Sequence, residues 1–377
     1  MKKILILGAG EIQLPVIKKA REMGLYTIVV DYNPSAPGFD YADEKYVEST
    51  NDFEQVLTIA RKCQIDGILT TSDFPVNVVA KISHDLGLCS MSEYVASLCT
   101  NKNMQRQLFK DSNVKVPFFK LCHSIDDTSY LNDYPYIVKP VDSSASRGVR
   151  KVSSREELVV AFSEALKYST SKNVLVEEFI EGREFSVETY TQHDKTSIIA
   201  ITEKLVIGED VGYFVEDTHI EPARISLNEK KLIESEVRTA IKVIGLNNCP
   251  THTEIKLNDK GAYIIEIACR LGGDYITSDL VPLSTGVDML ANLFRISLGE
   301  EIDATPTINK SSCIQFLNTE NYNRCRLFIE SGDQHIVRYE IKEYQHKAIK
   351  DSLDRLGYIL LQGDTQEEIE SILQLIK

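Results

Sequence analysis

The sequence YIVKPVDSSASRGV, residues 136–149, runs from an apolar segment into a loop of small and hydroxylated residues. The apolar segment predicts a buried strand that ends at Lys139. Small residues let backbone N–H groups approach an anion closely, and serine hydroxyls add further donors. Because a lysine beside such a loop supplies a fixed positive charge, the pattern is typical of a phosphate site, and a solvated turn is the alternative.

A second apolar segment, residues 174–180 (VLVEEFI), lies about thirty residues further along the chain and is followed by a strand-like segment from Glu184. The two segments predict a β-hairpin with a Glu-Gly turn at residues 181–182. The same residues would suit a nucleotide, since the end of the first segment offers an adenine ring a flat contact and backbone hydrogen bonds. Glu184 would then offer a carboxylate to the ribose hydroxyls.

Two glutamates lie on strand-like segments on either side of Gly261, Glu254 in THTEIKL and Glu266 in YIIEIA. The segments predict an antiparallel pair on which both carboxylates could point from one face. Such a pair suits Mg²⁺, which proteins usually hold by one or two carboxylates plus substrate oxygens, and a solvent-facing pair is the alternative. Arg270 follows and could bind a transferring phosphoryl group or an acyl phosphate.

The first hundred residues alternate between strand and helix patterns, which predicts a parallel sheet with helices on its faces. Gly8-Ala9-Gly10 begins a dinucleotide fingerprint, and Asp31 follows at the spacing of a ribose-binding acid. Gln13 stands where the third glycine would be, so an NAD-dependent oxidoreductase is disfavoured. From Tyr136 onward strands dominate, and the chain becomes mixed α+β.

The composition excludes several classes of protein. The 377 residues include 42 Lys and Arg against 56 Asp and Glu, a formal charge of −14, which disfavours binding of nucleic acid by bulk charge. We find no apolar stretch of the ~20 residues that a membrane span needs and no export signal, so we expect no membrane partner and a cytoplasmic location. The eight cysteines lack any Cys-x-x-Cys spacing and are expected to be buried apolar residues.

In their order along the chain, these motifs resemble the ATP-grasp superfamily, which includes biotin carboxylase, D-alanine ligase and the amino-acid ligases. The resemblance implies an ATP-grasp fold, of α/β and α+β class, over nearly the whole chain. It places an open parallel α/β (pre-ATP-grasp) domain at residues 1–98 and the ATP-grasp domain at 99–304, with a lid at approximately 125–190. A small C-terminal α+β domain would follow at 305–377.

The resemblance also implies a role for each motif residue. ATP would be contacted by Lys102, Lys139, Ser143, Ser144, Ser146, Gly148, Glu178, Phe179, Ile180 and Glu184. Glu254 and Glu266 would hold Mg²⁺, with Mn²⁺ as a substitute. Arg270 and Lys139 would be the catalytic residues, with Arg270 on the acyl phosphate. His219 is a candidate for the substrate pocket, although an ordinary polar loop is slightly favoured there.

The implied function is an ATP-dependent ligase that activates a carboxylate as an acyl phosphate, joins it to the amine of an amino acid or small metabolite, and releases ADP and phosphate. The alternatives are a bicarbonate-activating carboxylase of the same superfamily and a non-catalytic nucleotide-binding protein. The serine-rich loop and the lack of a biotin-attachment motif disfavour the biotin carboxylase group, and Ala268 stands where many members have a metal-binding asparagine. Dimers are common among relatives, which leaves a homodimer as one option.

Overall fold

The computed structural model describes residues 1–143, 146–209, 212–346 and 352–377. Its strands are β1 (Lys3–Leu7), β2 (Tyr26–Asp31), β3 (Glu44–Val47), β4 (Gly67–Thr70), β5 (Phe119–Cys122), β6 (Tyr136–Pro140), β7 (Arg150–Val152), β8 (Val174–Glu178), β9 (Arg183–Gln192), β10 (Lys195–Ile207), β11 (Val215–Glu221), β12 (Cys249–Asn258), β13 (Gly261–Ala268), β14 (Ser311–Phe316), β15 (Ile336–Ile341) and β16 (Gly357–Gly363). Its α-helices are α1 (Leu14–Glu22), α2 (Phe53–Cys63), α3 (Val76–Leu86), α4 (Glu93–Cys99), α5 (Lys102–Asp111), α6 (Arg155–Tyr168), α7 (Leu227–Ile244), α8 (Val281–Thr285), α9 (Met289–Ser297), α10 (Tyr322–Glu330) and α11 (Gln366–Ile376).

The N-terminal sheet is parallel and has the strand order β3-β2-β1-β4. Its central strands are apolar on both faces, as expected where helices cover a parallel sheet from both sides. Leu5 and Ile28 pack with residues of α2 and α3, whereas Ile4 and Val29 pack with residues of α1 and α9. Because the same apolar cluster includes Tyr190 of β9 and Ile314 of β14, the N-terminal sheet is joined to the rest of the molecule by a continuous apolar core.

The largest sheet is antiparallel and has the order β13-β12-β9-β10-β11-β14-β16-β15. Side chains alternate between its faces, so one face can be apolar and the other polar. Phe185 and Ile255, which are register partners on β9 and β12, are fully buried against the apolar side of α7. Their neighbours Glu184 and Glu254 point from the opposite face. The helix α7 begins at a Ser226 capping box and ends at Gly245 in the left-handed conformation.

A third, smaller sheet has the antiparallel order β5-β8-β6-β7 and packs against α6. It contains the strand before the serine loop and also β8, the segment predicted to form a hairpin with β9. That hairpin prediction is wrong. β8 pairs with β5 and β6, whereas β9 pairs with β10 and β12 in the large sheet. Residues 179–182 therefore do not form a hairpin turn but connect the small sheet to the large sheet.

The sequence also predicts a strand at Ile336–Ile341 and helices at Phe53–Cys63 and Gln366–Ile376, and the structure has these bounds. It predicts a helix from Thr100, which in the structure starts at Lys102 with Asn101 as its N-cap, and it does not predict α4. It predicts a further helix around 346–356, of which residues 347–351 lie outside the described residues and Ser352–Asp354 form only a 3₁₀ turn. The proposed domain boundaries stay a prediction.

Candidate active site

A cleft of about 740 Å³ lies where the three sheets meet. Loops of the N-terminal sheet form one wall, the small sheet forms the second, and the polar face of the large sheet forms the third. Eleven of the residues predicted for the site line this cleft. They are Lys102, Lys139, Ser143, Ser146, Glu178, Phe179, Ile180, Glu184, Glu254, Glu266 and Arg270.

Two other residues predicted for the site are not among these eleven. Gly148 does not line the cleft. It adopts a positive φ of 73°, and a Cβ there would lie 2.8 Å from Tyr168, so its role in the structure is close packing behind the loop. Ser144 lies outside the described residues.

Lys139 is held by a buried ion triad that the sequence did not reveal. Its Nζ lies 2.6 Å from Glu177 Oε2, and the other oxygen of Glu177 accepts a hydrogen bond of 2.6 Å from Arg106 Nε. Burial raises the pKa of Glu177 in isolation, but the two cations outweigh it and the pKa is lowered. The triad fixes the Lys139 ammonium at the cleft wall, with Arg106 anchored from α5.

Glu254 and Glu266 are directly opposite each other on β12 and β13, so both carboxylates point from one face, as predicted. Each of them has an ammonium partner. Lys102 Nζ lies 2.8 Å from Glu266 Oε1 and also donates to the Ser143 carbonyl at 2.7 Å. Lys204 Nζ lies 3.0 Å from Glu254 Oε1.

The two glutamates offer carboxylate ligands to a divalent cation, but they do not complete its coordination shell. The lysine contacts demonstrate that the site accommodates positive charge beside both carboxylates. Within the described residues, however, no group of three or more Asp, Glu, His or Cys side chains is placed to enclose a metal ion. A metal at Glu254 and Glu266 would therefore need further oxygen ligands from a substrate.

Lys204 is a charged residue of the cleft that sequence reasoning missed. It lies on β10, is only 5% exposed, and contacts Glu184 at 3.2 Å and Glu216 at 3.7 Å besides Glu254. Burial alone would lower the pKa of Lys204, but its carboxylate neighbours, led by Glu254, raise it well above the ordinary value. The charge of Lys204 in turn keeps the pKa of Glu254 well below its usual range.

Residues 178–180, at the end of β8, line the cleft on the side of the small sheet. The N–H groups of Glu178 and Phe179 donate to backbone carbonyls, at 2.9 Å to Phe118 and 3.2 Å to Pro135. Among the described residues, the N–H of Ile180 has no such acceptor. The Phe179 ring lies 4.0 Å from Lys151 Nζ, measured to the ring centroid.

Arg270 is bound by a residue from the N-terminal sheet. Its Nε donates to Asp73 Oδ1 at 2.7 Å and its Nη2 to Asp73 Oδ2 at 3.2 Å, a bidentate pair across 197 residues of sequence. Burial would raise the pKa of Asp73, but the Arg270 guanidinium outweighs it and lowers that pKa. The loop after β4 therefore orients the arginine at the mouth of the cleft.

The wall next to Arg270 contains His219, whose side chain is fully buried against Phe316. Neither ring nitrogen of His219 has a hydrogen-bond partner in the described part of the chain, and Nε2 lies 3.9 Å from Asp274 Oδ2. Arg355, from the C-terminal segment, donates to Asp274 at 2.9 Å and to Glu216 at 3.0 Å. His219 thus lines the cleft next to the Asp274 carboxylate, with no hydrogen-bond partner among the described residues.

His252 lies beside Glu254 on the same face and forms a buried pair with Glu188, with 2.5 Å between Nδ1 and Oε1. Burial lowers the pKa of His252 in isolation, but the Glu188 carboxylate outweighs it and raises the pKa to about 9. A Cβ at Gly272 would lie 2.7 Å from His252 Nδ1, so only glycine fits against this pair.

The dinucleotide alternative is not supported by the N-terminal turn. Both oxygens of Asp31 are engaged by backbone N–H groups, at 2.7 Å from Ala9 and 2.8 Å from Asn33. The Gln13 side chain covers the turn, since a Cβ on Gly8 would lie 3.2 Å from it. Asp31 therefore fixes the turn, with a buried carboxylate that already accepts two hydrogen bonds from the backbone.

The geometry agrees with comparisons to known proteins. Residues 132–279 match the ATP-grasp domain family. The chain is similar to a formate-dependent phosphoribosylglycinamide formyltransferase of Sulfurisphaera tokodaii, at 28% identity over 97% of this chain and 94% of that enzyme. It is also 28% identical to an alanine–anticapsin ligase of Bacillus subtilis, over 72% of this chain and 64% of that ligase.

Solved structures give the same result for the fold. An L-amino acid ligase from Bacillus licheniformis superimposes with a TM-score of 0.83 at 22% identity, covering 99% of this chain and 96% of that one. A phosphoribosylglycinamide synthetase from Anaerococcus prevotii superimposes with a TM-score of 0.76 at 24% identity, covering 100% and 97%. The predicted fold is confirmed. Among the helices of the described ranges, none has the length and apolarity that crossing a bilayer requires.

Proposed function

Because residues 132–279 match the ATP-grasp domain family and the chain is similar to an alanine–anticapsin ligase, we propose that its cleft activates a small carboxylate with ATP and joins it to an amine. The relatives support the predicted enzyme class, an ATP-dependent carboxylate–amine ligase. The observation that carries the proposal for the site is the convergence of Lys102, Lys139, Arg270 and the Glu254–Glu266 pair on one cleft.

ATP would lie between the small sheet and the polar face of the large sheet. The Ile180 N–H and the Phe179 ring would contact adenine, and Glu184 would bind the ribose. Lys139 and Lys102 would contact phosphates, with Glu177 keeping Lys139 in position. Glu254 and Glu266 would hold Mg²⁺, for which the bound phosphates complete the ligand set. Bound ATP supplies the phosphoryl group that activates the carboxylate, and the metal offsets its charge.

Arg270 would bind the carboxylate that is activated and stabilise the charge on its phosphorylated form. Its two contacts with Asp73 fix the plane of the guanidinium, so the protein contributes position and charge more than covalent chemistry. Asp274, Glu216 and His219 line the same cleft, and the His219 imidazole, which has no hydrogen-bond partner among the described residues, lies 3.9 Å from the Asp274 carboxylate. We propose that the wall they form receives the polar groups of the substrate next to its reacting carboxylate.

Release of ADP tests the proposal. Purified protein with ATP and Mg²⁺ should release ADP when supplied with mixed amino acids or formate, and the Glu254→Gln variant should not. Dependence on bicarbonate without any amine would instead support the carboxylase alternative. If neither wild type nor variant binds nucleotide, the proposal is wrong. A cytoplasmic location and a homodimer remain predictions.

A further inference from the structure

Lys204 contacts carboxylates from three parts of the cleft, to which the proposed reaction gives different roles. Its ammonium contacts Glu184 on the ribose side, Glu254 at the proposed metal site and Glu216 on the substrate wall. Lys204 and Glu184 are direct register partners on β10 and β9, which fixes the lysine over the centre of the sheet. A 5% exposed lysine with three carboxylate partners is held in place and is not a solvated surface charge.

The carboxylates of Glu184, Glu216, Glu254 and Glu266 each already have a cationic partner. Glu266 is paired with Lys102, and Glu184 is paired with Lys256 at 3.4 Å as well as with Lys204. Glu216 is paired with Arg355 at 3.0 Å. A free divalent cation would therefore meet carboxylates whose charge is largely compensated, and it would have to displace an ammonium from Glu254 and from Glu266.

A metal ion that binds together with nucleotide would gain ligands that a free metal ion lacks. The phosphate oxygens bring the ligands that the described residues lack, and their negative charge gives Lys102 a new partner. Lys204 can release Glu254 without becoming unpaired, because Glu184 and Glu216 remain within reach. Moving Glu254 from the lysine to the metal therefore leaves no buried charge alone.

We propose that Lys204 is a positioning residue that competes with divalent metal for Glu254, so that metal enters the site only together with nucleotide. The inference rests on the proposed function, because it takes Glu254 and Glu266 as the metal ligands.

The test is a titration with Mn²⁺, followed by the electron paramagnetic resonance signal of the free ion. Wild-type protein should show no saturable Mn²⁺ binding at the cleft without nucleotide and clear binding with a non-hydrolysable ATP analogue. Lys204→Met should show saturable Mn²⁺ binding without nucleotide, at least about tenfold tighter than the limit that wild type sets, since the ammonium on Glu254 is gone. Lys102 beside Glu266 and His252, whose Nε2 lies 3.8 Å from Glu254 Oε1, remain in that variant. The double variant Lys204→Met with Glu254→Gln should lose that binding, which assigns it to Glu254.

Two further variants separate competition from general loss of charge. Lys256 is a buried lysine on the same face that contacts Glu184 but makes no contact with Glu254 in the structure. Lys256→Met should therefore leave Mn²⁺ binding without nucleotide at the wild-type level. Lys204→Arg keeps a cation beside Glu254 and should also exclude free Mn²⁺. Circular dichroism of each variant verifies that it is folded.

Two results would overturn the inference. One is wild-type protein that binds Mn²⁺ without nucleotide about as tightly as with it. The other is a folded Lys204→Met variant whose Mn²⁺ affinity equals that of wild type. Binding of a fluorescent ADP is measured separately, so that failure to bind nucleotide counts against the proposed function, whereas the nucleotide-free titrations decide the role of Lys204.

Discussion

Replacement of Glu177 by glutamine tests the buried triad that positions Lys139. The side chains of Glu177, Arg106 and Lys139 are 3%, 1% and 6% exposed, so water cannot compensate for a lost partner. Glutamine has nearly the same shape but leaves two buried cations without a counter-charge. Removing one partner of such a buried group costs about 3–5 kcal/mol, and we expect Glu177→Gln to lower the free energy of unfolding by about that amount.

The assay is urea unfolding followed by circular dichroism and by tyrosine fluorescence, which is suitable because the chain has 17 tyrosines and no tryptophan. The matched control is Glu178→Gln at the next position, where the carboxylate is exposed and accepts only a 3.3 Å hydrogen bond from the Phe118 N–H. This control should change the unfolding free energy by less than about 1 kcal/mol. An unchanged dependence on urea confirms that the same transition is compared.

The pH dependence gives an independent check on Glu177→Gln. Burial already lowers the pKa of Lys139, and Glu177 opposes that effect. Without Glu177 the pKa of the folded state falls further below that of the unfolded chain, so the unfolded state binds more protons and stability rises with pH. The deficit of Glu177→Gln should therefore shrink from pH 7 towards pH 10. A variant within about 1 kcal/mol of wild type at pH 7, or a deficit that grows with pH, would refute the reasoning.

Three further predictions concern the cleft. Asp73→Asn should lower kcat for ADP release about tenfold or more by loosening Arg270, with a loss of stability below about 1 kcal/mol because Asp73 is partly exposed; an unchanged kcat would contradict this role. Glu254→Gln should reduce metal-dependent ADP release by roughly 10²-fold while nucleotide binding measured without metal is retained, and equal losses of both would argue against a metal ligand. The Glu188 carboxylate raises the pKa of His252 to about 9, above the ordinary histidine value of 6.5. The pair therefore stabilises the fold fully below pH 6.5 and loses that effect as pH rises through 9. Thermal unfolding of wild type and His252→Gln should therefore differ most at pH 6 and least at pH 10, and a constant difference would contradict the pairing.

Much of the site was predictable because its elements carry local patterns. The apolar run before Lys139 defines a strand, and the short turn at Gly261 forces the segments of Glu254 and Glu266 to pair. The error at residues 179–182 has a physical reason. A turn of this length permits a hairpin, and only the competing partners of β8 and β9 decide that the two strands belong to different sheets.

The sequence by itself determined the order of the serine-rich loop, residues 178–180, the Glu254–Glu266 pair and Arg270, because each lies in a short local pattern. Only the tertiary structure decided which charges meet them. Asp73 reaches Arg270 across 197 residues, and Arg355 reaches Glu216 across 139. Lys204 on β10 and Glu254 on β12 can meet because only β9 separates these two strands in the sheet. This order differs from the order of the strands along the chain. Such contacts depend on how strands are arranged side by side, and spacing along the chain carries no record of that arrangement.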